Sequence, residues 1–106
     1  MDDPWRCRTF DASLVARDDG LDLRVTGEVR GPGPVTRVSL RPHEAQGFNE
    51  LDLLVGIVAE RSPEGPADRG DWIPVTFTMP TRTRYTTVTI TDCGATITVR
   101  DASASA

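Results

Sequence analysis

The chain has no lysine, one histidine, one tyrosine and two cysteines in its 106 residues, and each scarcity closes off a class of function. With His43 the sole imidazole, and neither C-x-x-C nor H-E-x-x-H present, the spacings that hold a metal are missing. No G-x-S-x-G and no phosphate-cradling glycine loop occurs, so nucleophile, base and orienting group cannot be assembled in a familiar order. No apolar run approaches the roughly 20 residues that cross a bilayer as a helix, so no membrane role is expected. A formal charge of −4 opposes nucleic-acid binding, which relies on clustered basic side chains. All twelve basic residues are arginine, a bias better explained by GC-rich coding than by a need for planar bidentate donors.

What is present is the balance of an ordinary globular domain: 38% apolar and 26% charged residues, in a length that fits one core rather than two. Residues 1–9 read as an N-terminal segment, 10–100 as the folded domain and 101–106, RDASASA without its arginine, as a fraying tail. MDDPWRCRTF is acidic and lacks an apolar centre, so it does not read as a secretory signal; a signal removed ahead of it leaves no trace here.

The dominant pattern is alternation. Phe10, Ala12, Leu14 and Ala16 alternate with polar neighbours, as do Leu21, Leu23, Val25 and Val29, and RDDG between them supplies turn chemistry. A loop from Arg17 to Gly20 keeps both apolar sets on one side and sets Phe10 opposite Gly27. Val38 and Leu40 mark a short strand ended by Pro42. Ile73, Val75, Phe77 and Met79 mark another, in which Pro74 lacks an amide donor and so argues for a sheet edge. In YTTVTITDCGATITVR, a Cys93-Gly94 turn pairs Ile90 with Ile97 and Thr89 with Thr98, with Val88, Ala95 and Val99 also inward. LDLLVGIVAE is ambiguous: its β-branched content favours a strand apolar on both faces, while a helix capped by Asn49 is the alternative.

Seven strands with turns between them predict an all-β, single-domain antiparallel β-sandwich; an α+β fold follows instead if residues 50–61 are helical. Strand count, a length near one hundred residues and Tyr85 at the start of the sixth strand resemble the immunoglobulin-like and fibronectin type III-like sandwiches. The immunoglobulin cysteines and core tryptophan are not matched.

Antiparallel succession places the start of the first strand and the end of the sixth at one pole, so Cys7 and Cys93 are expected to be neighbours. A bond between them implies an oxidising compartment and secretion, and two free thiols imply the cytoplasm; both remain open at this point. The same reasoning gathers RGPGPVT, SPEGPADRGD and the Asp92-Gly94 turn at that pole, and puts PHEAQGFN, with His43, and PTRTR at the other.

Loops clustered on a rigid scaffold are where binding residues gather. The expected function is therefore a non-catalytic recognition or adaptor module that binds a protein partner through Pro32, Pro34, Glu64, Arg69, Asp71 and Trp72, with no cofactor. The rival is a structural domain that self-assembles through a sheet edge into a homo-oligomer. Arg69-Gly70-Asp71 matches the integrin-binding tripeptide, but three residues in a polar loop are more simply a turn. Thr87, Thr89, Thr91, Thr96 and Thr98 share an outer face that Thr76 and Thr78 would extend. Regular threonine rows resemble ice-binding surfaces, yet threonine is also the common choice for solvated strand positions, and twist breaks a flat array. Asp18, Asp19 and Asp22 around Gly20 suit a turn better than a calcium site. His43 beside Glu44 reads as a loop residue, too far from Cys93 to form a Cys/His pair.

Overall fold

The computed structural model describes residues 5–31, 35–61 and 72–102. They form seven strands: β1 (Arg6–Arg17), β2 (Gly20–Arg30), β3 (Val35–Pro42), β4 (Asp52–Arg61), β5 (Ile73–Thr81), β6 (Thr87–Ile90) and β7 (Ala95–Asp101). Residues 52–61 are thus a strand, and the helical alternative is excluded; Val55 and Ile57 favour extended backbone, and Leu53 and Val55 are buried by it.

The strands make one continuous sheet in the order β3-β4-β6-β7-β1-β2-β5 rather than two clearly separate layers. The reason lies in β7, which pairs antiparallel with β6 on one side and parallel with β1 on the other, so the two halves are stitched together. The sheet curls until its end strands β3 and β5 approach, giving a nearly closed, barrel-like wall around one core. A second parallel pairing, β4 with β6, is the other departure from simple antiparallel succession. Pro74 does lie on an end strand, and Pro80 shares its parity, so both missing donors fall along one side of β5.

Alternation becomes burial at most of the expected positions. Leu14 faces Leu23 and Ala12 faces Val25, with Arg17 and Gly20 pairing as well, so that Asp18 and Asp19 alone make the turn. Ala16, expected inward, is exposed at the rim. Ala12, Leu23, Val25, Val29, Val55, Val88 and Ile90 are wholly buried in a cluster closed at one end by Trp5.

The last hairpin differs from expectation by two residues. Ile90 pairs with Ala95 and Val88 with Ile97, which keeps both faces but lengthens the turn to Thr91 through Gly94. The cause is that the chain after Ile90 is claimed by β4: the Thr91 amide donates to Val55 O (3.0 Å) and the Asp92 carboxylate accepts the Ile57 amide (2.9 Å). Gly94, at φ +73°, then closes the turn by donating to Ile90 O (2.9 Å), a left-handed position where glycine carries no Cβ penalty.

Cys7 and Cys93 are bonded, with Cα atoms 6.3 Å apart and 86 positions of sequence between them. Closing a loop of that length stabilises the fold by up to about 4 to 5 kcal/mol in the chain-entropy account.

A bulge in β1 lets this bond form. Arg8 pairs with Glu28 and Asp11 with Thr26, so Thr9 and Phe10 together oppose the single residue Gly27. The Phe10 ring occupies the space a Gly27 side chain would need, a Cβ there lying 2.4 Å from the ring. Gly27→Ala is therefore expected to lower stability by about 1 to 3 kcal/mol through overpacking. In Phe10→Ala the same glycine substitution should cost much less, as chemical denaturation of the double-mutant cycle would register; equal costs in both backgrounds would refute the contact.

Candidate functional site

Thr9 is the one described non-glycine residue with positive φ, at 55°. A β-branched side chain in that conformation costs on the order of 1 to 3 kcal/mol and persists only where its surroundings impose it. Here the Thr9 hydroxyl has two acceptors within donating reach, Arg8 O (2.7 Å) and Glu28 Oε1 (3.1 Å). The same carboxylate oxygen accepts from Arg8 Nε at 3.2 Å. The Arg8 guanidinium lies 4.2 Å over the centroid of the Trp72 ring. The bulge thus aims Arg8 across β2 onto a half-buried tryptophan at the entry to β5. These bonds from Arg8 and Thr9 hold the Glu28 carboxyl below its ordinary value of 4.5.

Beside this cluster the β1–β7 seam opens. The ladder between them runs only from Ala12↔Val99 to Leu14↔Asp101, and at the other end the disulfide draws the strands together again. Between the two closures lies an open cleft of about 510 Å³. Inward-facing Phe10, Ala95 and Ile97 give it an apolar floor, Thr96 and Thr98 a hydroxyl wall, and Arg8 and the Arg100–Asp11 ion pair (2.6 Å) its charged rim. An interposed strand would need its neighbours roughly 9.5 Å apart. The seam is closed by the ladder at one end and by Cys7–Cys93, with Cα atoms 6.3 Å apart, at the other, and neither closure leaves room for an interposed strand.

Of the binding residues expected from sequence, Pro32, Pro34, Glu64, Arg69 and Asp71 lie outside the described residues, and so does the Arg69-Gly70-Asp71 tripeptide. Trp72 is described, and it joins the Arg8 cluster.

His43 is not remote from Cys93 as expected. Its Nε2 is 2.8 Å from Thr91 Oγ1, and its ring lies over Gly56, where a Cβ would sit 3.1 Å from it. Short β6 ends beside Val55, halfway along β4, which brings the Thr91–Gly94 turn up to the residue after β3. A Cys/His nucleophile pair is still not formed, because Cys93 is bonded to Cys7. His43, Thr91 and Asp92 instead fasten the cysteine-bearing turn to β3 and β4.

The threonine rows are also redistributed. Thr87 faces Thr98 and Thr89 faces Thr96, but the Asp52 carboxylate accepts from the Thr87 and Thr89 hydroxyls at 2.8 and 2.9 Å. Thr76 and Thr78 cannot extend this face, since β1 and β2 intervene between β7 and β5. Arg17 pairs with Asp22 at 3.1 Å and approaches Asp19 at 3.9 Å, so two of the three carboxylates near Gly20 are engaged as partners of a cation.

Comparison with protein-family models, with curated proteins and with solved structures returned no match to this chain.

Glu28→Gln provides a check on the cluster. Because the folded carboxyl titrates below 4.5, its contribution is complete above that pH and fades as pH falls through the lower folded value. The stability difference between wild type and Glu28→Gln should therefore be greatest near neutrality and vanish in acid; a difference that does not change with pH would contradict the assignment.

Proposed function

We propose that the protein is a non-catalytic recognition module whose binding surface is the β1–β7 cleft together with Arg8 and Trp72. The observation that carries this is the arrangement at Thr9: besides turning Trp5 and Cys7 inward, its strained bulge sets Arg8 over the half-buried Trp72 at the mouth of a cleft, and strained backbone and bulges are over-represented beside functional sites. Arginine and tryptophan are also the residues that dominate the energetics of protein interfaces. The cleft's apolar floor and hydroxyl wall suit one or two side chains of a polypeptide partner, and no cofactor is invoked.

The disulfide supports placement in an oxidising compartment, hence secretion or export. Kinship with the immunoglobulin-like and fibronectin type III-like sandwiches is supported by the adjacent first, second and fifth strands. It is weakened where β4 comes between β3 and β6, strands that are neighbours in the immunoglobulin pattern.

Self-assembly is the second reading, favoured by Phe48, fully exposed in the 43–50 loop, and by half-exposed Leu51 and Val58. Two variants separate the readings. Trp72→Ala removes the platform under Arg8, and Thr96→Trp fills the cleft from an exposed strand position that tolerates aromatics. In affinity capture from the source cells, partners retained by wild type should be lost from both variants, while light scattering shows a monomer at every concentration. Unchanged capture by both variants, or a fixed oligomer dispersed by Phe48→Ser, would favour assembly instead.

A further inference from the structure

We infer that the partner's docking segment is acidic and extended, and that Arg6, Arg30 and Arg8 read it beside Trp72. This rests on the recognition module proposed above and names the chemistry it recognises.

Arg6 and Arg30 are direct cross-strand partners on β1 and β2. Their neighbours Cys7 and Val29 face inward, so both arginines face outward, and both are exposed. Like charges placed directly opposite on a sheet are destabilising, and among the described residues neither arginine forms an ion pair. Arg8 follows two residues after Arg6 on the same face. Its guanidinium is already fixed over Trp72, so part of the ordering cost of binding is met in advance. Glu28 already pairs with Arg8, so the three arginines leave a net local excess of two positive charges; in a chain of net charge −4 this is a local reversal of sign, an electrostatic target for an anion.

The spacing selects among anions. Outward residues on one strand repeat at roughly 6.8 Å, the same repeat as alternate side chains of an extended polypeptide. Carboxylates on every second residue can therefore meet Arg6 and Arg8 in turn, with Arg30 beside Arg6 on the adjoining strand. Planar guanidinium groups donate to carboxylates in bidentate fashion. A long polyanion such as nucleic acid would instead be repelled by the remainder of the acidic surface. The apolar-floored cleft next to Arg8 then holds an uncharged side chain of the same segment.

The test uses the intact, oxidised protein and the fluorescence of Trp72, with Trp72→Phe to identify its signal against that of Trp5. The probe is a short acetylated and amidated peptide alternating Glu and Thr, its control the Gln-Thr counterpart, and its competitor inorganic pyrophosphate. The Glu peptide should bind, more weakly as salt rises, and the Gln peptide should not. Arg6→Ser with Arg30→Ser should weaken binding at least about tenfold, which is about 1.4 kcal/mol. Arg30→Glu should raise the melting temperature, because it relieves the like-charge pair, yet abolish binding. A residue with a purely structural role would not part stability from affinity in this way.

Equal binding of the Glu and Gln peptides, or unaltered affinity in the double variant, would overturn the inference. So would pyrophosphate binding at these arginines in preference to the peptide. If the Glu peptide fails while partner capture still depends on Trp72 and Thr96, this inference falls and the recognition module stands. If capture is independent of them too, both fall.

Discussion

Two residues of β1 have to fit opposite one residue of β2, and the rest of the molecule follows from how that mismatch is absorbed. Thr9 takes the strained left-handed conformation, Phe10 drops onto Gly27, and the strand resumes its alternation one residue out of phase. On the far side of the bulge Trp5 and Cys7 now face inward, whereas an unbroken register would turn both to solvent. The core gains its end plug, the disulfide gains one of its sulfurs, and Arg6 and Arg8 are turned outward. A local cost on the order of 1 to 3 kcal/mol is thus offset by burial of a tryptophan and by a covalent closure.

The opposite end of that covalent bond is held with equal care. Cys93 lies in a four-residue turn fastened by the Thr91 amide on Val55 O, by Asp92 on the Ile57 amide and by His43 on Thr91. The lone histidine and the aspartate beside the cysteine therefore hold the turn that carries the link. Because β1 and β7 are joined by a short ladder at one end and by this bond at the other, the cleft between them has fixed walls. Such walls are consistent with the recognition role proposed above, because preorganised surfaces lose little freedom on binding.

Much of the fold was legible because burial and alternation are the same fact in a strand. The pairing of Leu14 with Leu23 and the approach of Phe10 to Gly27 follow from period-two reasoning, the edge position of β5 from the missing amide of Pro74, and the proximity of Cys7 and Cys93 from antiparallel succession. That reasoning is blind to which strands become neighbours once they have formed. It therefore anticipated neither the β4–β6 nor the β1–β7 parallel pairing, nor the joining of two layers into one curled sheet. It also misplaced His43, because nothing local announces that β6 stops after four residues. The bulge did leave a signal: apolar Trp5 and Cys7 sit at odd positions, while Phe10, Ala12 and Leu14 sit at even ones. A strand with one inner face cannot satisfy both sets without an extra residue between them. The Arg8 and Trp72 contact joins residues far apart in sequence and had no such trace.

The most direct measurement is to delete that extra residue and count thiols. Removing a residue from the middle of a strand ordinarily flips everything before it, and deletion of Ser13 should do so, freeing both cysteines and exposing Trp5. Deletion of Thr9 should instead restore a regular ladder with Arg8 still opposite Glu28 and Cys7 opposite Val29. No thiol should then react under denaturing, non-reducing conditions, and Trp5 fluorescence should stay blue-shifted. Two reactive thiols in the Thr9 deletion, as in the Ser13 deletion, would contradict the account, because Thr9 would then not be the supernumerary residue on which the inner face of β1 depends.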